Sequence, residues 1–218
     1  MPGLKKHHAD VRFSGNKVTP DEVDMRQRYV VTYPSIGAST LGTAAAGTVN
    51  VAWTAVNTIL DYPRTVLFSV TGGTTGGTTI INGNDQFNRS VTETITIATA
   101  AAGGTVAGTK IFDSFSSGTY YPAGGDNTST AVLGYAKGTA AATRAWFGLP
   151  VKIKATGDVK RITWINNGTQ TDINGGTIAA YVDTAQHAIR GTAIVAATDI
   201  YIVDVLSTYT SENDANVG

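Results

Sequence analysis

Ser90-Val91-Thr92-Glu93-Thr94-Ile95-Thr96-Ile97 decides the fold. The odd positions are Val91, Glu93, Ile95 and Ile97, and the even positions are Ser90, Thr92, Thr94 and Thr96. Successive side chains of a strand point to opposite faces, so this period of two predicts a strand with one buried face and one threonine face. Glu93 is the exception on the apolar side. It is expected to pair with a basic residue or to face a subunit boundary.

The same signal recurs on both sides. Just before it, Asn82-Gly83 within Ile80–Asp85 predicts a hairpin, because both residues tolerate positive φ. Upstream, alternation at Tyr29-Val31-Tyr33, Val49-Val51-Trp53 and Val66-Phe68-Val70 predicts three more strands. Downstream strands are expected at Lys110 to Phe115, Val132 to Tyr135, Val151 to Lys154, Arg161 to Ile165, Ile178 to Val182 and Asp199 to Leu206. Between them the chain carries turn and loop signals: Ile36 to Gly47, Asp61-Tyr62-Pro63-Arg64, Thr71 to Gly77, Tyr121 to Asn127, Gly157-Asp158, Asn167-Gly168 and Asn174-Gly175-Gly176. Only Ala140 to Arg144 favours helix, and it is short. Strands at intervals of roughly 8–15 residues with turns between them predict an all-β fold, a jelly-roll-like β-sandwich.

Composition agrees. Threonine is 34 and glycine 25 of 218 residues, which suits pleated surfaces and tight turns. Hydrophobic residues are 42%, enough for a core. The formal net charge is +0, so the basic excess of a nucleic-acid binder is missing. No run approaches the length of a membrane span. With no cysteine, the chain reads as made in a reducing cytoplasm, with neither disulfide nor thiolate metal site.

Organisation follows from a change of texture. Residues 1–28 are charged and lack apolar periodicity, so they read as an extended N-terminal arm that orders against a partner. Thr19-Pro20-Asp21-Glu22 could open one brief helical turn there. Lys5, Lys6, Arg12, Lys17, Arg26 and Arg28 are the candidate partner-binding residues. Residues 29–210 form the expected sandwich domain, and 211–218 a frayed polar tail.

Candidate chemistry is sparse. His7-His8 lacks a third ligand at metal spacing. His187 lies four residues from Asp183, a pairing that only a helix would enforce. Gly103 to Lys110 superficially suggests a phosphate loop, but Thr109 separates Gly108 from Lys110 and no helix follows. Asn82-Gly83-Asn84-Asp85 and Gly124-Gly125-Asp126-Asn127 hold calcium-type oxygens, although turn capping explains them better. Asp61, Glu93, Asp113 and Asp183 would need to converge to act as glycosidase carboxylates, with Trp53, Trp146 and Trp164 stacking on sugar. Expected therefore are no catalytic residue, no metal, no cofactor and no enzyme activity.

Ile81 to Asn88, Val91 to Ile97, Gly108 to Phe112 and the step Gly148-Leu149-Pro150-Val151 together resemble small tailed-phage virion proteins of the capsid decoration (cement) type. The likeness extends over about half the chain. It implies a structural protein on the capsid surface of the virion that bridges capsomers, binds the major capsid protein and forms a homo-oligomer, trimer or dimer. No nucleic acid or membrane partner is implied. A phage tail or fibre-adaptor protein and a carbohydrate-binding β-domain are the alternatives.

Overall fold

In the computed structural model, the described residues are 10–11, 23–32, 41–44, 50–55, 59–71, 76–98, 104–123, 129–136, 145–166, 168–173, 175–191 and 199–209. Their strands are all antiparallel and form three sheets. The first runs β1 (Asp10–Val11), β2 (Val23–Thr32), β18 (Ile200–Tyr209), β14 (Val159–Asn166), β15 (Thr169–Ile173). The second runs β10 (Gly104–Ala107), β7 (Val66–Thr71), β12 (Thr130–Tyr135), β3 (Gly42–Ala44), β5 (Thr54–Ala55). The third runs β16 (Val182–Asp183), β17 (Ala188–Arg190), β13 (Trp146–Gly148), β6 (Ile59–Arg64), β11 (Phe112–Pro122), β8 (Gly77–Asn84), β9 (Ser90–Ile97), with β4 (Val51–Ala52) also paired to β11. The expected all-β sandwich is therefore observed.

The third sheet takes part in two cores. At one end Phe147 and Ile189 pack with Tyr29, Val31, Tyr201, Val203 and Ile162 of the first sheet. At the other, Ile81, Ile95, Phe112 and Tyr120 pack with Phe68, Val70 and Leu133 of the second. Each such side chain taken fully from water contributes about 1.5–3 kcal/mol. Two residues of β6 tie the cores together. The Tyr62 hydroxyl donates to the Thr32 carbonyl (2.5 Å) and accepts the Thr32 N–H (3.1 Å), joining the third sheet to the first. Arg64 is wholly buried; it pairs with Asp61 (3.0 Å), donates to the Ala136 carbonyl (3.0 Å) and lies over the rings of Tyr135 and Phe147.

Several local expectations are corrected. The arm boundary at residue 28 does not hold for the backbone: β2 opens at Val23, with Val23 opposite Tyr209 and Arg26 opposite Leu206. Its charged start has no apolar period, and the ladder to β18 supplies what burial does not. Asp61 to Arg64 is not a turn but the end of β6, whose ladder to β11 is irregular enough to accept Pro63. Gly42 to Ala44, expected in a loop, pairs with β12. β11 continues through Ser116-Ser117-Gly118 to Pro122, past the expected end at Phe115, with a register shift between Phe115 and Ser117. Val151 to Lys154 is not a strand; the nearby strand is β13. Ile178 to Val182 does not follow a hairpin at 174–176, because Gly175–Tyr181 is a 3₁₀ helix. Asn167-Gly168 does mark the expected hairpin: Asn166 faces Thr169, and Gly168 has φ of 81°. Ala140 to Arg144, residues 1–9 and 12–22 of the arm, and 211–218 lie outside the described residues.

Candidate interaction surface

The β8–β9 hairpin turns later than Asn82-Gly83 suggests. Both residues stay in β8, and the reversal is made by 85–89. The Asp85 carboxylate organises it, accepting the Phe87 and Arg89 N–H groups (each 2.9 Å) and pairing with the Arg89 guanidinium (2.7 Å). Asn88 takes the left-handed conformation, φ 60°. Gly83 is required for closeness: a Cβ there would stand 1.9 Å from the Ser114 carbonyl oxygen. So the Asx reading of this loop holds, with Asp85 capping backbone.

This hairpin and β11 present one outer face. Register places Thr96, Thr78 and Tyr121 in one row, Thr94, Ile80 and Thr119 in the next, then Thr92, Asn82 and Ser117, then Ser90 beside Asn84. No charged side chain stands in these rows. Hydroxyls and amides link across them: Thr78 with Thr96 (3.0 Å), Thr92 to Asn82 (2.8 Å) and Asn82 to Ser117 (3.2 Å). Each hydroxyl keeps spare donor or acceptor capacity for a partner.

On the inner side of β9, Glu93 is 7% exposed. Its partner is not the expected basic side chain but a loop. Oε1 accepts the Thr109 N–H (2.5 Å), the Thr109 hydroxyl (3.1 Å) and the Lys110 N–H (3.2 Å). Oε2 is buried with no hydrogen-bond partner. Burial pushes the Glu93 carboxyl above its ordinary value, while the Thr109 and Lys110 contacts pull the other way. The segment that superficially suggested a phosphate loop thus does aim backbone N–H groups at an anion, and the anion is the chain's own carboxylate.

The predicted partner-binding residues fall in two groups. Lys5, Lys6, Arg12 and Lys17 lie outside the described residues. Arg26 and Arg28 are in β2, Arg26 opposite Asp10 on one side and Leu206 on the other. Arg28 holds Asp204 (2.7 Å), which Arg161 also grips (3.0 Å). Asp204 is buried beneath two half-exposed guanidiniums, so the row Arg28–Asp204–Arg161 carries one net positive charge at the surface of the first sheet. Sequence reasoning could not find Asp204 or Arg161, because Asp204 lies 176 residues from Arg28 in the chain and joins the two arginines only across the folded sheet.

The other chemical candidates serve separate local roles. His187 has φ of 50°, and its Nδ1 lies 3.1 Å from the N–H and 3.2 Å from the carbonyl oxygen of Ile153. Burial holds its pKa below the usual value. Asp183 caps the turn before it through the Ala185 and Gln186 N–H groups (each 2.9 Å). Asp113 is pushed up by burial and by the charge of Asp85. Trp53 donates to Thr79 (2.8 Å) and packs edge-on against Phe68. It lines a cleft of about 80 Å³ with Leu41, Ile81, Phe115, Ser117 and Leu133, among which none of Asp61, Glu93, Asp113 and Asp183 appears. Trp164 packs on the other core. Among the described residues no group of three or more His, Asp or Glu is placed to hold a metal ion, and no helix is long and apolar enough to cross a membrane. His7-His8 and Gly124 to Asn127 lie outside the described residues.

No protein-family model matches the chain, and no curated protein or solved structure matches it.

Proposed function

We propose that the chain is a structural virion protein that binds the outside of a phage capsid and bridges neighbouring capsomers. The observation that carries this reading is the uncharged hydroxyl face over β9, β8 and β11. Such a face has no charge to desolvate and both donors and acceptors to offer, so it suits contact with a regular protein surface. Each contact is weak. Many copies on a lattice add up, because a second contact made by a tethered subunit is effectively intramolecular. The partner is the major capsid protein, and the mechanism is binding without a catalytic residue or cofactor. Lys5, Lys6, Arg12, Lys17, Arg26 and Arg28 contribute a basic grip on neighbouring subunits.

The test is to mix purified chain with emptied capsids, pellet the particles and measure the bound ratio. A decoration protein binds in fixed proportion to the major capsid protein, and deleting residues 1–20 weakens attachment while the truncated chain stays folded. Copies confined to the tail vertex would instead make it a tail or fibre adaptor. Binding to a glycan array without capsid binding would overturn the virion reading in favour of a carbohydrate-binding domain.

A further inference from the structure

We propose that β9 is a self-pairing edge, through which two copies of this chain join their third sheets by antiparallel β9–β9 pairing about a two-fold axis at Thr94. The inference rests on reading the hydroxyl face as an interface, and it names the partner as a second copy. β9 pairs with β8 along one edge, and among the described residues no strand pairs with the other. β10 packs on its inner face, where Gly104 sits on Ile97, and is laddered to β7 instead. Strands that end a sheet are usually short, bulged or charged, because an open row of N–H and C=O groups recruits other strands. The other five sheet ends follow that rule in length: β1, β5 and β16 have 2 residues each, β10 has 4 and β15 has 5. β9 has 8, pairs with β8 without a register shift, and shows only Ser90, Thr92, Thr94 and Thr96 outward.

The sequence of β9 selects one register. Antiparallel partners must match faces, so threonine must oppose threonine; registers that set even positions against odd ones are excluded. Of the two face-matched registers with greatest overlap, one centres on Glu93 and would oppose two buried carboxylates. The other centres on Thr94. It pairs Thr92 with the second copy's Thr96, Thr94 with its counterpart, and Glu93 with Ile95 across the inner face. An inward charge ordinarily blocks such pairing. Here Glu93 is already buried under Thr109 and Lys110, so joining a second strand does not newly desolvate it. The outer threonines then form cross-strand hydroxyl pairs, which stabilise antiparallel ladders. With no charge in the row, no like-charge repulsion opposes the approach of an identical face.

The chain has no cysteine, which makes a crosslinking test clean. Residues on the axis stand about 4.5–5.5 Å apart between Cα atoms, within the disulfide range of about 4.4–6.8 Å. Oxidised Thr94→Cys is therefore expected to run as a covalent dimer. Thr92→Cys alone is offset from its counterpart by four residues, about 13 Å, and should stay monomeric. Mixed with Thr96→Cys it should crosslink. Equal crosslinking of Thr94→Cys and Thr92→Cys alone, or none in any combination, overturns the proposal. A second variant reads the same contact without chemistry. In sedimentation velocity, Thr94→Lys should weaken self-association at least about tenfold, and mixing with Thr94→Asp should restore it. An unmodified chain that is monomeric at every concentration, or a Thr94→Lys chain that associates like the parent, leaves the edge to a foreign strand and ends the self-pairing reading. Both measurements use purified chain alone. A chain that self-pairs yet ignores capsids keeps this inference and sinks the virion reading.

Discussion

The junction of the two cores and the outer end of the third sheet each bury a charged side chain, by opposite means. Arg64 at the junction is met by a carboxylate, a carbonyl and two aromatic faces. Glu93 at the edge is met by backbone N–H groups and one hydroxyl, with a second oxygen left over. Burial lowers the pKa of the first and raises that of the second, in each case against the charged form. A guanidinium still keeps its proton at any pH the fold meets. A carboxylate can accept one. The junction should therefore be sensitive to substitution and indifferent to pH, and the edge should respond to both.

The largest effect tests the junction. Arg64→Met keeps volume but takes the guanidinium away from Asp61, which still accepts the Tyr62 N–H, and removes the donor to the Ala136 carbonyl. Breaking a buried pair on one side costs about 3–5 kcal/mol. Denaturant unfolding should show that loss with little change between pH 6 and pH 8. A loss below about 1 kcal/mol would mean that the Arg64 pair adds little to the Tyr62 link and the packing that join the two cores.

At the edge, Gly108→Ala would put a Cβ 2.4 Å from Oε2 of Glu93. The obstructing atom ends a flexible side chain, so the carboxylate can shift, but only by loosening its contacts with Thr109 and Lys110. Crowding of this kind costs about 1–3 kcal/mol. Gly157→Ala, where nothing lies within 4 Å, is the matched control and should be close to neutral. If both variants unfold alike, the loop does not hold Glu93 tightly.

The pH response separates the regions further. The native Glu93 pKa is raised, so the folded state binds its proton more readily than the unfolded state does. Its contribution is fully present below its ordinary value and is lost as pH rises through the native value. The parent should gain stability relative to Glu93→Gln as pH falls from 7 towards 4.5. His187 runs the other way. Its native pKa is lowered, so its contribution is present above its usual value and is lost as pH falls through the native one. His187→Gln should remove that acid-side loss. A constant gap between parent and Glu93→Gln across the range would show that the loop fully compensates for burial.

The smallest effect lies on the first sheet. Arg161→Met leaves Asp204 still gripped by Arg28, and both guanidiniums are well exposed. The loss should be no more than about 1 kcal/mol and should shrink further in high salt. A loss as large as that of Arg64→Met would place this row among the buried pairs.

What could be read in the sequence depended on who partners whom. β9 was legible because one strand carries both its faces. Glu93 stands out there as the odd residue, but its partners, Thr109 and Lys110, are visible only once β10 and the loop after it fold across the sandwich. The start of β2 was illegible because its stability comes from a ladder to β18, which leaves no mark on hydrophobic period. Pro63 misled for a different reason: proline ends most strands, yet β6 pairs irregularly and tolerates it. Gly175–Tyr181 misled because a short apolar run such as Ile178 to Tyr181 reads equally as strand or 3₁₀ turn from periodicity alone.

The pairing of β2 with β18 has a consequence for the order in which the protein is made. Val23 meets Tyr209, so a ten-residue strand emerges from the ribosome long before its central neighbour exists. β18 also carries β14 on its other side, so β2 and β14 cannot be joined into one sheet until β18 has been synthesised. Such distant contacts delay folding and expose strand edges during synthesis. The charges of Asp24, Arg26 and Arg28, which hid β2 from a hydrophobic reading, are what would keep it solvated and unattractive to other nascent chains during that wait.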